Sequence, residues 1–215
     1  MWVLKLGGSL AGTRELRCWL RALAEHGGGQ MVVVPGGGPF ADRVRDTQRH
    51  WGYDDETAHH MALLAMAQYG LALAGMEPRL RAAHGLDEIG QAWLARQVAV
   101  WIPAWPEIRD IALPASWDYT SDSVAAWLAR RLGSGRLLLV KSPAPTGRSA
   151  GLHQLMRQGI LDSGFERSIE GQDLSVWWLG GDQHADLEGL LNAGGTAAAC
   201  RIQPPEYGPA SQFPR

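Results

Sequence analysis

The residues best suited to chemistry are two lysines and the glycines around them. The chain has 20 basic residues, of which only Lys5 and Lys141 are lysines and the other 18 are arginines. A GC-rich genome explains that scarcity but not the positions. Lys5 lies in the apolar run Trp2-Val3-Leu4-Lys5-Leu6 and is followed by Gly7-Gly8-Ser9. Lys141 follows Leu137 to Val140 and opens the turn Ser142-Pro143-Ala144-Pro145-Thr146-Gly147. A third loop, Pro35-Gly36-Gly37-Gly38-Pro39, follows Met31 to Val34, and Gly180-Gly181-Asp182 follows Val176 to Leu179. Glycine lets backbone N–H groups approach an anion, and a following helix N-terminus adds its positive end. Two such loops and two ammonium groups at one sheet edge describe a polyphosphate site. Its chemistry is phosphoryl transfer, which depends on positioning and on stabilising charge on phosphate oxygens. A single glycine turn is equally explained by loop geometry, so the combination and order carry this reading. No Walker A motif follows Gly36 to Gly38, and no GxGxxG with a distal acid marks a dinucleotide site.

The elements around these loops alternate between strand and helix. Arg14 to His26 reads as a helix with Leu16, Trp19, Leu20 and Leu23 at helical spacing, ended by Gly27-Gly28-Gly29. A second helix is expected from near Phe40 to about Arg49, and a third over Asp54 to Gly75. Val98 to Ile102 reads as a strand, Val124 to Leu132 as an amphipathic helix, Ala185 to Leu191 as a helix, and Ala197 to Ile202 as the last strand. Asp110 to Pro114 is too short to classify. Such alternation with continuous apolar strands predicts an α/β, three-layer sandwich around a central, mainly parallel sheet. In sheets of this kind ligands bind beyond the carboxyl ends of the strands, where both lysines stand. One domain over residues 1–203 is expected, with Gly194-Gly195-Thr196 leading into its last strand and a Pro-rich tail over 204–215.

Composition narrows the function. With 215 residues, 46% apolar and 20% charged, the chain is long enough for one sizeable core and unlike a disordered segment. A net charge of -2 gives no footprint for nucleic acid. Cys18 and Cys200 show no metal or redox spacing and read as small buried hydrophobes in a reducing compartment. The opening apolar run is broken by Lys5, Gly7 and Gly8, so no signal peptide is expected. Met61 to Met76 falls short of the roughly 20 residues that span a bilayer. A cytoplasmic protein with no membrane or nucleic-acid partner is the expectation.

Val3-Leu4-Lys5-Leu6-Gly7-Gly8-Ser9, then Val33-Val34-Pro35-Gly36-Gly37-Gly38, then Thr120-Ser121-Asp122-Ser123 before a helix together resemble the signature of the amino acid kinase superfamily. The run from Pro35 to Arg45, the helix with His59 and the Thr-Ser-Asp-Ser motif are most similar to its methanofuran-biosynthesis branch, of one-carbon metabolism. The resemblance, in outline from Trp2 to Ile202, implies an ATP- and Mg²⁺-dependent kinase. Its γ-phosphoryl group would pass to a phosphate monoester, an (aminomethyl)furanylmethyl phosphate in that branch. A carboxylate kinase and a non-catalytic nucleotide-binding scaffold are the alternatives. The resemblance gives Lys5 the phosphoryl group in flight, and Gly7, Gly8 and Ser9 the phosphates of ATP. It places Gly36, Gly37, Gly38 and His59 on the acceptor side, with Thr120 and Ser121 also binding substrate. Asp122 would orient the catalytic lysine, and a homo-oligomer is implied.

From the residues alone, Asp122 is equally an ordinary residue of a helix N-cap region. His59 and His60 point about 100° apart on a helix, so they are no metal pair and either can be incidental. Asp42 and Arg43 can recognise an amine or a phosphate, or be solvated helix residues. Trp101, Trp105 and Trp117 can form an aromatic wall or serve packing. The chain departs from the family in two places. Thr146 stands where a Val-Asp-Gly aspartate is expected, leaving Lys141, Ser142, Thr146 and Gly147 as the nucleotide-side residues. No lysine follows position 141, so either Lys141 serves as the second cation or Arg148 or Arg167 replaces it.

Overall fold

In the computed structural model, residues 1–193 and 199–204 are described. In chain order the elements are β1 (Trp2–Leu6), α1 (Arg14–His26), β2 (Met31–Pro35), α2 (Gly38–Trp51), α3 (Asp55–Met76), β3 (Arg81–Ala83), α4 (Leu86–Leu94), β4 (Ala99–Trp101) and α5 (Trp105–Asp110). They continue with α6 (Ser121–Arg131), β5 (Arg136–Lys141), β6 (Ser149–Gly151), α7 (Leu152–Arg157), α8 (Phe165–Ile169), β7 (Ser175–Gly180), α9 (Leu187–Ala193) and β8 (Cys200–Gln203). A short 3-10 turn, Gly8–Leu10, follows β1.

Leu16, Trp19, Leu20 and Leu23 form the buried face of α1, and the Thr13 hydroxyl caps it by accepting from the Leu16 N–H. β1 and β2 are buried along their whole length, as strands covered on both faces must be. The strands form one sheet in the order β3-β4-β2-β1-β5-β7-β8-β6. All neighbours run parallel except β7 and β8, which pair antiparallel. One apolar core lies on each side of the sheet: α4 and α6 to α8 contribute to one, α1 and α9 to the other, and α3 to both. This is the expected three-layer α/β sandwich.

Four helices of nine residues or fewer (α4, α5, α7 and α8) and two three-residue strands (β3 and β6) were not legible, because their periods are too brief to register. The second helix starts at Gly38, two residues before the expected Phe40, because Gly38 adopts φ +53° inside the turn and Pro39 occupies the first turn without needing an N–H partner. Cys200 is buried as expected, but Cys18 is only half-buried. The expectations for Gly194 to Thr196, for the start of the last strand at Ala197 and for the tail from 205 lie outside the described residues. No helix among those described is long and apolar enough to cross a membrane.

Candidate active site

Strand alternation decides where Lys5 points. Trp2, Leu4 and Leu6 enter one core and Val3 the other, so Lys5 projects on the Val3 face. β1 pairs with β5 so that Lys5 stands opposite Leu139. Lys141, two residues further along, therefore projects on the same face. β1 and β5 are also where the strand order reverses, with β2 on one side and β7 on the other. Crevices open at such reversals.

α6 covers this face. Its Ala125, Ala126 and Ala129 are fully buried, and residues this small let the helix approach β1 closely. The first turn of α6 thereby brings Asp122 onto both lysines. Lys5 Nζ lies 3.0 Å from Asp122 Oδ1, an ion pair without hydrogen-bond alignment. Lys141 Nζ donates to Asp122 Oδ2. Burial opposes ionisation of the Asp122 carboxyl, but the charges of Lys141 and Lys5 outweigh it and hold the group at about 2. Burial lowers Lys141 to about 8, helped by repulsion from Lys5 and opposed by Asp122. Two ammonium groups against this one carboxylate leave positive charge facing outward.

That charge meets a cavity of about 490 Å³. Lys5 and Lys141 form its floor, Gly8, Ser9, Gly37 and Gly38 one wall, and Ser142 its rim. To the same cavity α2 contributes Asp42 and Arg45, and α3 contributes Asp55, His59, Leu63 and Met66. The segment before α6 adds Trp117, Tyr119, Thr120 and Ser121, and residues 158–160 close the circuit. The two glycine loops touch backbone to backbone: a Cβ on Gly8 would lie 2.5 Å from the Gly38 nitrogen, and one on Gly36 2.4 Å from the Gly8 nitrogen. The Ser142 hydroxyl donates to the Ser9 hydroxyl at 2.6 Å, linking the loops after β5 and β1.

The predicted residues divide accordingly. Lys5, Gly8, Ser9, Gly37, Gly38, His59, Thr120, Ser121, Lys141 and Ser142 line the cavity, with Asp122 behind the lysines. Gly7 and Gly36 shape it without presenting their N–H groups, which donate to Val140 O at 3.0 Å and Leu6 O at 2.9 Å. Thr146 and Gly147 are exposed and do not line it. Arg148 and Arg167 are exposed as well, so of the three candidates for second cation Lys141 is the one at the cavity. Asp122 sits in the first turn of α6 but caps nothing. Burial, then the charge of His60, lowers His59, whose Nε2 has no hydrogen-bond partner.

Of the three tryptophans, Trp101 is core, Trp105 is exposed with its ring edge-to-face to His60, and only Trp117 lines the cavity. Trp117 Nε1 donates to Gln48 Oε1 at 2.7 Å, Gln48 Nε2 donates to Asp55 Oδ1 at 2.8 Å, and the Arg45 guanidinium lies 4.3 Å from the Trp117 ring centre. Sequence reasoning missed this cluster, because Arg45, Gln48 and Trp117 meet only after α2 folds. It also missed Asp162, which accepts from the Thr120 and Ser123 N–H groups at 2.8 and 3.2 Å and from their hydroxyls at 3.0 and 2.8 Å. No group of three or more His, Cys, Asp or Glu side chains among the described residues is arranged to hold a metal ion.

A glycine-walled, cationic crevice at the strand-order reversal of a three-layer α/β sandwich defines a phosphate-handling class of protein. The chain belongs to the amino acid kinase family, whose sequence model matches residues 1–142. A [5-(aminomethyl)furan-3-yl]methyl phosphate kinase of Methanocaldococcus jannaschii is 27% identical over 135 residues, 61% of this chain and 61% of that protein. The chain thus spans about three fifths of the length of the curated relative it matches. Among solved structures, a uridylate kinase from Archaeoglobus fulgidus has a TM-score of 0.67 at 17% identity, covering 94% of this chain and 99% of that one. An isopentenyl phosphate kinase from T. acidophilum gives 0.58 at 15% identity, covering 94% and 100%. These two likenesses concern the fold.

Proposed function

We propose that the protein is an ATP-dependent kinase that transfers the γ-phosphoryl group to a small phosphate monoester. The observation that carries this reading is the Lys5–Asp122–Lys141 cluster on the cavity floor. Asp122 is held ionised between two cations, which makes it a poor general base. An acceptor served by this site must bring its own nucleophile. A phosphate monoester does so, being largely dianionic above its second pKa of about 6. One of its oxygens bonds to the γ-phosphorus as the bond to the β,γ-bridging oxygen breaks, giving ADP and a diphosphate. Lys5 and Lys141 neutralise charge on the transferred group, and Asp122 fixes their spacing.

Gly8, Ser9, Ser142 and Lys141 are the proposed nucleotide-side contacts, with Gly37, Gly38, His59, Thr120 and Ser121 on the acceptor side. Mg²⁺ fits as part of the nucleotide complex, since it binds mainly through phosphates and water with few protein ligands. Bound there, it would neutralise charge between the β- and γ-phosphates. The likeness to the M. jannaschii protein supports an (aminomethyl)furanylmethyl phosphate as acceptor. An amine on such a molecule finds Asp42 and Asp55 in the cavity, and its ring finds Trp117. The exposed Leu64 and Leu71 of α3 are the surface a homo-oligomer would cover.

The test is an ADP-release assay with ATP, Mg²⁺ and a panel of phosphate monoesters and carboxylates, on wild type and Lys5→Ala. Turnover with monoesters alone, lost in the variant, supports the proposal. Turnover with carboxylates alone identifies a carboxylate kinase. ATP binding without acceptor-stimulated turnover identifies a scaffold.

A further inference from the structure

We propose that Asp162 is a positioning residue for the Lys5–Asp122–Lys141 cluster, holding the first turn of α6 in register from outside the helix. The argument starts from an unusual division of labour at the α6 N-terminus. Thr120 occupies the N-cap position, yet its side chain makes no capping bond to the helix. Its hydroxyl donates to Asp162 Oδ2 at 3.0 Å instead. Asp122, the one carboxylate in the first turn, is turned onto the lysines and cannot cap. The helix still presents N–H groups that need an acceptor. Asp162 Oδ2 takes those of Thr120 and Ser123, at 2.8 and 3.2 Å, and Asp162 Oδ1 takes the Ser123 hydroxyl at 2.8 Å.

Two further bonds fasten the same segments together. The Ser163 hydroxyl donates to Asp118 Oδ1 at 2.6 Å, and the Gly164 N–H donates to Asp118 O at 2.7 Å. Asp118 to Ser123 is thereby clipped to Asp162 to Gly164. This clip bears on the chemistry through Asp122, which lies between the two residues that Asp162 grips. A small rotation of the first turn would take Asp122 off one lysine. Asp162 also acts by charge, and its carboxylate favours the protonated form of Lys141. The charged groups acting on Lys141 are Asp122 from α6, Lys5 from β1 and Asp162 from the segment before α8.

The inference rests on the kinase reading only for its rate arm. Its second arm needs no turnover: with two lysines in the sequence, ¹³C-lysine labelling gives two Cε resonances, assigned by Lys141→Arg. In Asp162→Asn the amide retains one acceptor oxygen and loses the charge. The Lys141 resonance is expected to titrate at lower pH than in wild type. On the leading acceptor, kcat is expected to fall about ten-fold or more with KM little changed, as for an interaction that acts in the transition state. Ser123→Ala removes one bond and leaves the charge. It is expected to move both lysine resonances and lower kcat a few-fold, and it keeps the question answerable if Asp162→Asn does not fold. Wild-type lysine resonances and titration in a folded variant, with only a lower melting temperature, would overturn the proposal and leave Asp162 a purely structural cap.

Discussion

Lys5 and Lys141 approach one carboxylate from neighbouring strands, one ammonium group on each oxygen of Asp122. The pairing makes the two lysines unequal in consequence. Lys5 is the more buried, at 7% side-chain exposure against 13%. Lys5→Ala is expected to lower kcat by about 10²–10³-fold, the scale for one lost charge-stabilising donor. Lys5→Arg should not restore it, because a planar fork does not replace a point charge. Nucleotide affinity, measured by calorimetry, should change far less than kcat; turnover within a few-fold of wild type would sink the role given to Lys5.

The depressed value of Lys141 separates activity from stability. Turnover should fall as pH rises through about 8, where Lys141 loses its proton. The folded value lies below the ordinary 10.5, so between about 8 and 10.5 the unfolded chain binds more protons. This group's contribution to stability therefore rises with pH across that window. Melting temperatures of wild type and Lys141→Met, compared from pH 7 to 10, should show the difference moving in favour of wild type while wild-type turnover declines. Asp122, lowered as well, has the same sign at the acid end: its stabilisation is complete above 3.8 and is lost as pH falls towards about 2.

Asp122→Asn leaves two mostly buried ammonium groups facing an amide. Removing one partner of a buried charged group costs about 3–5 kcal/mol, and urea unfolding at neutral pH should show a loss of that order. The deficit should shrink as pH rises towards about 8 and then level off, because without its counter-charge Lys141 loses its proton at lower pH in the variant than in wild type. A deficit constant from pH 5 to 8 would contradict the assignment.

Gly8→Ala forces apart two loops that touch through their backbones. A cost of about 1–3 kcal/mol is expected, as for overpacking, together with raised KM values. Gly75→Ala is the control: its added Cβ meets nothing, and the helical alanine should stabilise by about 0.5–1 kcal/mol.

Trp117→Phe keeps a ring for Arg45 to stack on and removes the donor to Gln48. One neutral hydrogen bond is worth about 1 kcal/mol, so the acceptor KM should rise roughly five-fold while the ATP KM stays put. An effect confined to ATP would place Trp117 on the other half of the site.

The strand-end residues were readable because sheet topology dictates where they go. Once Lys5 and Lys141 are assigned to strand ends, a parallel sheet brings them to one edge. Strand parity then determines that they share a face, since Lys5 pairs with Leu139. What the sequence could not display is contact between irregular segments. Asp162 sits in Leu161-Asp162-Ser163-Gly164, which reads as a turn, and no spacing links it to Thr120 or Ser123. The glycines were read as phosphate donors, whereas Gly7 and Gly36 give their N–H groups to neighbouring strands. Nor could composition show that Thr146 and Gly147 stand off the cavity: the segment after β5 folds over the end of β7, where Ala144 fills the space above Gly180.

The enclosure of both lysine side chains gives the protein an unusual chemical fingerprint. They are the only two side-chain amines in the sequence, and both are nearly sealed by Asp122 and the cavity walls. Acylating reagents that scatter over most proteins would find no lysine on the outer surface here. Lys141, the less enclosed of the pair and lowered by burial to about 8, becomes the lysine first acylated. Occupancy of the crevice is then readable by mass spectrometry as protection of a single residue, with no need for a known acceptor.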